Sequence, residues 1–316
     1  MIIVKTPYRI SLFGGSTDYK SFYSKYGSLL VGLANDKYCY LSLRYNPTIF
    51  DYKSFAQYSK IEKVYNNSDI KHNGIRGVLK YMNIEYGIEL SHVADIPSQT
   101  GMGSSSSFIV GLLNACHKLE GKHKSPEILA SEAIYVEREL LKESGGIQDQ
   151  IWAAHGGFNS ISIDKSGDIN VRPLPIGKSF KAEFIRRSCL IYTGNIRKSF
   201  KVAKAHDNVN IENSKIHILG IAEQALKAFD NEDIDEIARL LYESWQHKKS
   251  ISPLISSPEV DAQYDNLLDC GMIGGKLLGS GRAGFIFGIW PDGVPEDILS
   301  KSILFQPDYG GSTIIN

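Results

Sequence analysis

The sequence predicts an α+β protein built from two domains. Short apolar segments typical of strands are mixed with helical patterns, and the two types follow one another without strict alternation. A single doubly wound sheet would require regular alternation of strand and helix, which favours two separate α+β units. The 316 residues are enough for two domains that each bury a core.

The first half is predicted to hold three strands and two helices. The predicted strands are Ile2–Val4, Ile10–Phe13 and Tyr38–Arg44. Phe108–Leu119 is apolar on nearly every face, which predicts a buried helix. Ser125 is a good N-cap and Pro126 suits the first helical position, so a further helix is expected from there to about Lys142. The pair Gly145-Gly146 would end it.

The second half is predicted to begin within a loose stretch rich in Asp, Gly, Pro and Ser, Asp164–Lys181. We place the domain boundary there, which divides the chain into residues 1–178 and 179–316. Strands are predicted at Cys189–Tyr192, Gly274–Leu278 and Gly284–Trp290, and helices at Ser214–Phe229, Ile234–Lys248 and Pro258–Cys270.

Composition argues against two classes of protein. Lys plus Arg and Asp plus Glu each total 35, so the basic excess typical of nucleic-acid-binding proteins is absent. No apolar run approaches the length of a membrane span, and the apolar run at the start of the sequence is too short for a signal peptide. The four cysteines lie far apart, as expected for reduced, buried thiols. We therefore expect a cytoplasmic protein.

The sharpest local feature is a serine-rich loop, residues 97–107 (PSQTGMGSSSS), which leads into the buried helix. Gly101 and Gly103 allow positive φ and close approach of a ligand to the backbone. The free N–H groups and dipole of the following helix start would attract an anion. An over-capped helix start is the simpler alternative. Because the loop lacks the lysine of a Walker A motif, a phosphate site here would need a metal ion and hence a carboxylate.

Two carboxylates are candidates for that chemistry. Glu137 has apolar neighbours one helical turn away on both sides, and a carboxylate in an apolar stripe is costly unless it is paired or binds a cation such as Mg²⁺. A structural ion pair or a solvated edge position explains it equally well. Asp149 lies between flanking glycines and an apolar segment, which predicts a tight turn. Taken alone, it fits a capping or Asx-turn residue just as readily.

Three segments together resemble the GHMP kinases, the superfamily of galactokinase, homoserine kinase and mevalonate kinase. Residues 7–18 (PYRISLFGGSTD) are similar to that family's PxRxxxxGEHTD motif, and the serine-rich loop is similar to PxGxGLGSSAA. Residues 276–284 (KLLGSGRAG) are similar to KxTGAGxGG. The motifs occur in the family's order and span most of the chain. The resemblance implies an N-terminal domain like domain 2 of ribosomal protein S5 and a ferredoxin-like C-terminal domain.

The resemblance also implies roles for individual residues. It assigns Asp149 as catalytic base or as the group that orients the acceptor hydroxyl, with Arg9 beside the transferring phosphate. It assigns Ser105 and Glu137 to Mg²⁺. The residues that it assigns to the acceptor sugar are Ser16, Thr17, Asp18 and Gly146. Those that it assigns to the phosphates of ATP are Gly101, Met102, Gly103, Ser104, Ser105, Ser106 and Ser107.

Two departures from the family pattern bear on the substrate. Galactokinase-like enzymes have Glu-His where this chain has Gly15-Ser16, which makes galactose a poorer candidate. Arg282-Ala283 replaces smaller residues in the third motif, a change expected to adjust the phosphate loop without removing it.

Within the superfamily, two parts of the chain look like the bacterial D-glycero-α-D-manno-heptose 7-phosphate kinases. These parts are residues 6–18 and the region from Trp245 to Gly281. The resemblance implies phosphorylation of the anomeric hydroxyl to the 1,7-bisphosphate, in GDP-heptose biosynthesis for surface polysaccharides. A fucose or other hexose 1-kinase and a non-catalytic ligand-sensing regulator remain alternatives. We expect a small sugar phosphate as partner, no nucleic acid and no membrane, and we allow for a homodimer.

A second phosphate site would suit such a substrate. Arg197, Lys201 and Lys204 recur at i, i+4 and i+7, so a helix would present them as one basic stripe. A clustered cationic face can hold a phosphate, although a solvated charged face is the commoner arrangement. We predict that Arg197 helps to bind the 7-phosphate.

Overall fold

The structure, a computed structural model, describes residues 1–194 and 209–316 and has an α+β architecture. Its strands are β1 (Ile2–Phe13), β2 (Ser28–Tyr45), β3 (Ser54–Gln57), β4 (Ile61–Val64), β5 (Ile88–Ala94), β6 (Phe158–Ile163), β7 (Ile169–Pro173), β8 (Ser188–Tyr192), β9 (Gly274–Leu277), β10 (Phe285–Ile289), β11 (Ser302–Ile303) and β12 (Thr313–Ile314). Its helices are α1 (Lys20–Tyr26), α2 (Asn73–Tyr81), α3 (Ser104–Leu119), α4 (Pro126–Tyr135), α5 (Gln148–His155), α6 (Lys178–Arg186), α7 (Val209–Asp230), α8 (Ile234–Ile251), α9 (Pro258–Asp269) and α10 (Glu296–Leu299). A 3₁₀ turn (Asn67–Asp69) and a π-helical segment (Val136–Leu140) complete the described elements.

The strands form two sheets. The larger sheet has the order β12-β1-β2-β5-β3-β4, and β6 extends it by pairing with both β2 and β7. Its pairs are antiparallel except for β3 with β5. The smaller sheet, with the order β11-β8-β10-β9, is antiparallel throughout. Because β12 lies near the C-terminus and pairs with β1, the end of the chain returns to the sheet that the first half builds.

The first strand corrects a prediction. Ile2–Val4 and Ile10–Phe13 were expected as separate strands, but they are the two ends of the continuous strand β1. The pairing with β2 shifts register between Pro7 and Arg9 and again between Ser11 and Phe13. A proline cannot donate to the ladder, and a bulge absorbs it without ending the strand. The first shift leaves the Arg9 amide free to bond the carbonyl of Met102, 3.1 Å away.

The predicted buried helix is confirmed as α3, which begins at Ser104, earlier than the sequence indicated. It packs closely on β1, because a Cβ at Gly111 would lie 2.6 Å from the hydroxyl oxygen of Thr6. Gly103, in the left-handed region with φ of 78°, occupies the N-cap. This packing fixes the start of α3 beside the bulged part of β1.

The helix after Ser125 ends differently from the prediction. It is α-helical to Tyr135 and then continues as the π-helical segment Val136–Leu140 rather than as α-helix to about Lys142. The Leu141 amide accordingly bonds to the carbonyl of Val136, at 2.9 Å. Such π-helical turns carry an extra residue, which rotates the following side chains, and they are frequent at functional sites.

The predicted elements of the second half are confirmed with shifted ends. Helix α7 begins at Val209, α8 extends to Ile251, and β9 and β10 pair as antiparallel neighbours. Trp245 of α8 is fully buried against the ring of Tyr264. None of the helices in the described part of the chain combines the length and the apolarity that a membrane crossing requires.

Candidate active site

An arginine and an aspartate from distant parts of the chain form the centre of the site. The guanidinium of Arg9, on β1, donates to both carboxylate oxygens of Asp149, at 2.8 and 3.0 Å. The Arg9 side chain is 6% exposed and that of Asp149 26% exposed, so the pair faces solvent from the aspartate side. The sequence predicted a tight turn that enters a buried segment, and the structure places Asp149 in the first turn of α5. A bidentate pair of this kind fixes both side chains.

Asp18 supplies a second carboxylate beside this pair. It is 1% exposed, and its oxygens accept the backbone amides of Ser16 at 3.2 Å and Gln148 at 3.1 Å. Burial and the nearby charge of Asp149 raise its pKa. Gly146 packs directly on it, because a Cβ there would lie 1.8 Å from Oδ2. Gly146 was predicted to bind substrate, and its missing side chain allows the loop to approach Asp18 closely.

The two residues before Asp18 differ in what they can contact. Ser16 is half-buried with φ of 83°, so the turn holds it at the edge of the site. Thr17 is fully buried, and its hydroxyl donates to the Gly14 carbonyl at 2.7 Å and lies 2.6 Å from the hydroxyl of Ser28. This hydroxyl fastens the turn from inside the protein, so only the backbone of Thr17 is left for a contact with the substrate, which stays a prediction.

The serine-rich loop runs alongside the Arg9–Asp149 pair. Gly101 and Gly103 have φ of 81° and 78°, and a Cβ at Gly103 would lie 3.3 Å from the carboxylate of Asp149. Arg9 also donates to the Gly101 carbonyl. This backbone has the curvature and the closeness to the pair that a ligand lying along it would need.

The side chains of this loop divide into outward and inward groups. Ser104 is half-buried and Ser105 is exposed, so both are open to a ligand. Ser107 is buried and donates to the Pro7 carbonyl at 2.8 Å, and Met102 is buried in the core. Only the backbone of Met102 and Ser107 remains for the predicted contact with phosphate, because their side chains have structural roles.

Glu137 lies at the other end of the loop, on the π-helical segment, and is 1% exposed. Its Oε2 atom accepts from Ser106 at 3.1 Å, from Arg138 at 3.3 Å and from the side-chain amide of Gln150. The hydroxyl in contact with Glu137 is thus that of Ser106. Ser105 is exposed, because the rotation of α3 turns Ser106 toward the π-helical segment and Ser105 toward solvent. That Ser105 and Glu137 share a Mg²⁺ ion stays a prediction.

The environment of Glu137 fits a divalent cation. Its Oε1 atom is buried and has no hydrogen-bond partner among residues 1–194 and 209–316. Burial raises the pKa of Glu137 to about 7, although the charge of Arg138 opposes the shift. A cation on Oε1 would compensate a charge that is costly to bury alone. The described residues contain no cluster of three or more His, Cys, Asp or Glu side chains that could hold a metal ion, so the remaining ligands would be phosphate oxygens, hydroxyls and water, as is common for Mg²⁺.

A loop from the second half of the chain locks the serine-rich loop in place. A Cβ at Gly101 would lie 2.5 Å from the carbonyl oxygen of Leu278, and one at Gly279 would lie 2.4 Å from the Cα of Gly101. Gly284 is similarly close to the carbonyl of Thr100, at 2.1 Å. These contacts explain why the third motif is rich in glycine: the two loops touch backbone to backbone. Arg282, which departs from the family motif, donates to the Leu254 carbonyl at 3.2 Å.

Two buried lysines beside the site were not identified as site residues from the sequence. Lys276 is 2% exposed and donates to the Leu12 carbonyl at 2.8 Å, and Lys248 is 6% exposed and donates to the Gly279 carbonyl. A signal for Lys248 was present, since Leu241, Trp245 and Lys248 follow the i, i+4, i+7 spacing of one apolar helix face. The predicted basic stripe of Arg197, Lys201 and Lys204 lies outside the described residues.

Comparison with known proteins identifies the family of the chain. The family described as "GHMP kinases N terminal domain" matches residues 73–157, and "GHMP kinases C terminal" matches residues 225–301. The chain is 30% identical over 300 residues to a D-glycero-alpha-D-manno-heptose 7-phosphate kinase of Campylobacter jejuni, covering 90% of this chain and 88% of the relative. It is 27% identical over 214 residues to an L-fucokinase/L-fucose-1-P guanylyltransferase of Bacteroides fragilis, covering 65% of this chain and 22% of that protein.

A solved structure shares the whole fold. The crystal structure of a D-glycero-D-manno-heptose 1-phosphate kinase from Bacteroides thetaiotaomicron superposes with a TM-score of 0.81 at 22% identity, covering 100% of this chain and 99% of the other. The predicted α+β fold with two GHMP kinase domains is confirmed by these matches. The chain belongs to the GHMP kinase family, a family of phosphotransferases.

Proposed function

We propose that this kinase transfers the γ-phosphoryl group of ATP to the anomeric hydroxyl of D-glycero-α-D-manno-heptose 7-phosphate. The product is the 1,7-bisphosphate, and the reaction serves GDP-heptose biosynthesis for surface polysaccharides. The observation that carries the proposal is the Arg9–Asp149 pair, held at 2.8 and 3.0 Å beside the serine-rich loop. The relative that is 30% identical over most of both chains supports this choice of acceptor.

The serine-rich loop would hold the triphosphate. Free N–H groups at the start of α3 face this loop, and the dipole of a 16-residue helix favours negative charge there. Ser104 and Ser105 add hydroxyl donors from the open side. Glu137 and Ser105, the pair that the family resemblance assigns to the metal, would hold Mg²⁺, which when bound neutralises part of the charge on the phosphate oxygens. Phosphoryl transfer needs mainly such positioning and charge compensation from the protein.

The carboxylates would orient the acceptor. Asp149, the more exposed of the two, accepts a hydrogen bond from the anomeric hydroxyl and takes its proton as the new O–P bond forms and the bond to ADP breaks. Asp18 holds the turn that carries Ser16 and stabilises the sugar side of the site. Arg9 keeps Asp149 in orientation and offsets the negative charge of the transferring group.

A substrate panel tests the proposal. ADP release is measured with Mg-ATP and D-glycero-D-manno-heptose 7-phosphate, unphosphorylated heptose, fucose, galactose and mannose, with Asp149→Asn as the inactive control. Turnover confined to the 7-phosphate is expected. Turnover of a free hexose in its place would overturn the acceptor but keep the kinase, and no turnover with any sugar would contradict the proposal.

A fucose 1-kinase is the second candidate, because part of the chain is 27% identical to the bifunctional Bacteroides fragilis protein. The fucose arm of the panel separates the two readings. A non-catalytic sensor fits less well, since a pure binder has no need of Arg9, Asp149 and Glu137 together.

The role of Arg197 in holding the 7-phosphate remains a prediction from the sequence. Arg197→Ala should raise the KM for heptose 7-phosphate and leave the KM for ATP unchanged. An unchanged KM for the sugar phosphate would remove Arg197 from the site.

A further inference from the structure

Lys248 is a buried cation that the proposed mechanism does not use. Its side chain projects from the inward face of α8 and is 6% exposed. An ammonium group has three N–H donors, and among the described residues that of Lys248 makes one hydrogen bond, to the Gly279 carbonyl. A buried ammonium with donors to spare is costly unless an anion completes its environment.

A continuous set of backbone and side-chain contacts connects Lys248 to the catalytic pair. Lys248 bonds to Gly279, and Gly279 lies against Gly101, since a Cβ on the former would be 2.4 Å from the Cα of the latter. The Gly101 carbonyl accepts from Arg9, which in turn pairs with Asp149. Lys248 therefore lies at the point where the two glycine loops meet, near enough to Asp149 for the two charges to interact.

The charged groups that act on Lys248 come from several elements of the fold. Arg9 on β1, Asp18 after β1, Asp149 on α5 and Lys276 on β9 all interact electrostatically with its ammonium. Arg9 already occupies both oxygens of Asp149. Burial, and secondarily the charges of Lys248 and Arg9, lower the pKa of Lys276 well below its usual range. Titratable side chains of the helices packed on the outer part of α8 contact the neighbours of Lys248. His217 of α7 stacks on His247, and Asp261 of α9 pairs with Lys249.

We propose that Lys248 is a catalytic residue that contacts the phosphoryl group in transfer, acting with Arg9 as a second cation. The inference rests on the proposed phosphotransferase site and adds a ligand contact to it. A preorganised cation in a water-excluded site stabilises developing negative charge strongly. Lys248 lies at the meeting point of the loops and not at the outer end of the acceptor. We therefore assign its contact to the transferring phosphate and not to the phosphate that the sugar carries.

The titration of Lys248 offers a specific signature. Burial, and secondarily the charge of Arg9, lower the pKa of Lys248 to about 8, while Asp18 and Asp149 oppose the shift. The charged form is therefore lost as the pH rises through about 8. Because kcat/KM reports the free enzyme, its profile should fall above about pH 8. In the kcat profile the fall in activity should occur at a higher pH, because a bound phosphate anion favours the ammonium form of Lys248.

Nucleotide binding tests the contact without depending on the identity of the sugar. The affinities of ADP and of a non-hydrolysable ATP analogue are measured by calorimetry for wild type, Lys248→Met and Lys248→Arg, with Lys249→Met as the matched neighbour. We expect Lys248→Met to weaken the ATP analogue about tenfold or more and ADP little, because only the analogue carries the γ-phosphate. Lys249→Met should leave both affinities unchanged.

Kinetics on the accepted sugar provide the second arm. Lys248→Met should lower kcat about 10²-fold, the size of effect seen when one preorganised donor to a developing charge is removed. Lys248→Arg should retain part of the activity and lose the fall near pH 8, because arginine stays protonated. Thermal melting confirms that each variant is folded.

Three results would overturn the inference. Equal weakening of ADP and the analogue would assign Lys248 to the stability of the loop. A raised KM for a phosphorylated sugar with unchanged nucleotide affinity would assign it to the acceptor phosphate. A Lys248→Met enzyme as active as Lys249→Met would remove it from the site. None of these results would contradict the proposed kinase activity, which fails only if wild type turns over no sugar.

Discussion

Asp149 and Glu137 lie close together in sequence and each contacts an arginine, but the two carboxylates are compensated differently. Asp149 has both oxygens bonded to Arg9 and remains partly exposed. Glu137 is buried, shares one oxygen among Ser106, Arg138 and Gln150, and leaves the other without a partner in the described residues. Asp149 therefore forms a complete ion pair, whereas Glu137 keeps one oxygen whose charge a cation would compensate.

The difference shows how burial and pairing separate the roles of chemically similar groups. A carboxylate fixed by a bidentate arginine keeps its orientation and can present an oxygen edge to a hydroxyl. A desolvated carboxylate, with its pKa raised to about 7 by burial, gains most from a metal ion. The variants below test this division of roles, in order of the expected effect.

Replacing Asp149 should have the largest effect. Asp149→Asn removes the proton acceptor and the partner of Arg9, so kcat should fall by roughly 10²–10⁴-fold. Steady-state kinetics with saturating Mg-ATP measure it, and Asp265→Asn, an exposed position on α9, is the control. A loss of less than tenfold would reduce Asp149 to a positioning residue.

Gly146→Ala tests the geometry around the pair without changing any charge. The added Cβ would meet Asp18 at 1.8 Å, so the buried aspartate and its turn must shift. Displacements of this size next to reacting groups can cost about 10²-fold, which we expect in kcat/KM for the sugar. If the variant kept wild-type kinetics, the contact between Gly146 and Asp18 would have no part in catalysis.

Glu137→Gln should alter the Mg²⁺ requirement more than the chemistry. The amide keeps the shape but loses the charge that a cation needs, so the Mg²⁺ concentration for half-maximal activity should rise by roughly 10- to 100-fold. Glu139→Gln, on the same π-helical segment but 56% exposed, is the matched control. Identical Mg²⁺ titrations for both variants would refute Glu137 as a ligand.

Gly220→Ala should have the smallest effect and the opposite sign. A Cβ there meets no atom of residues 1–194 and 209–316 within 4 Å, and the residue lies inside α7. Removing a flexible glycine from a helix should raise the free energy of unfolding by about 0.5–1 kcal/mol without changing activity. Urea denaturation followed by circular dichroism measures it, and a lower midpoint would show a hidden clash.

Much of the fold was predictable because its signals are local. Apolar periodicity predicted α3, α7, α8 and α9 to within a few residues at most ends. The join of two predicted strands into β1 was not predictable, because the bulge at Pro7 is stabilised by pairing with a distant strand. Local patterns also gave no indication of the π-helical turn that carries Glu137.

The sequence by itself determined the two-domain α+β class, the serine-rich loop and the membership of the GHMP kinase family, because composition, spacing and motif order are properties of the chain. Only the tertiary structure decided which serine meets Glu137, that Thr17 points inward, and that Lys248 approaches the Arg9–Asp149 pair. Adjacent residues on a helix point about 100° apart, so the outcomes for Ser106 and Lys248 depend on how α3 and α8 are rotated against their neighbours. That rotation is set by packing between segments far apart in sequence.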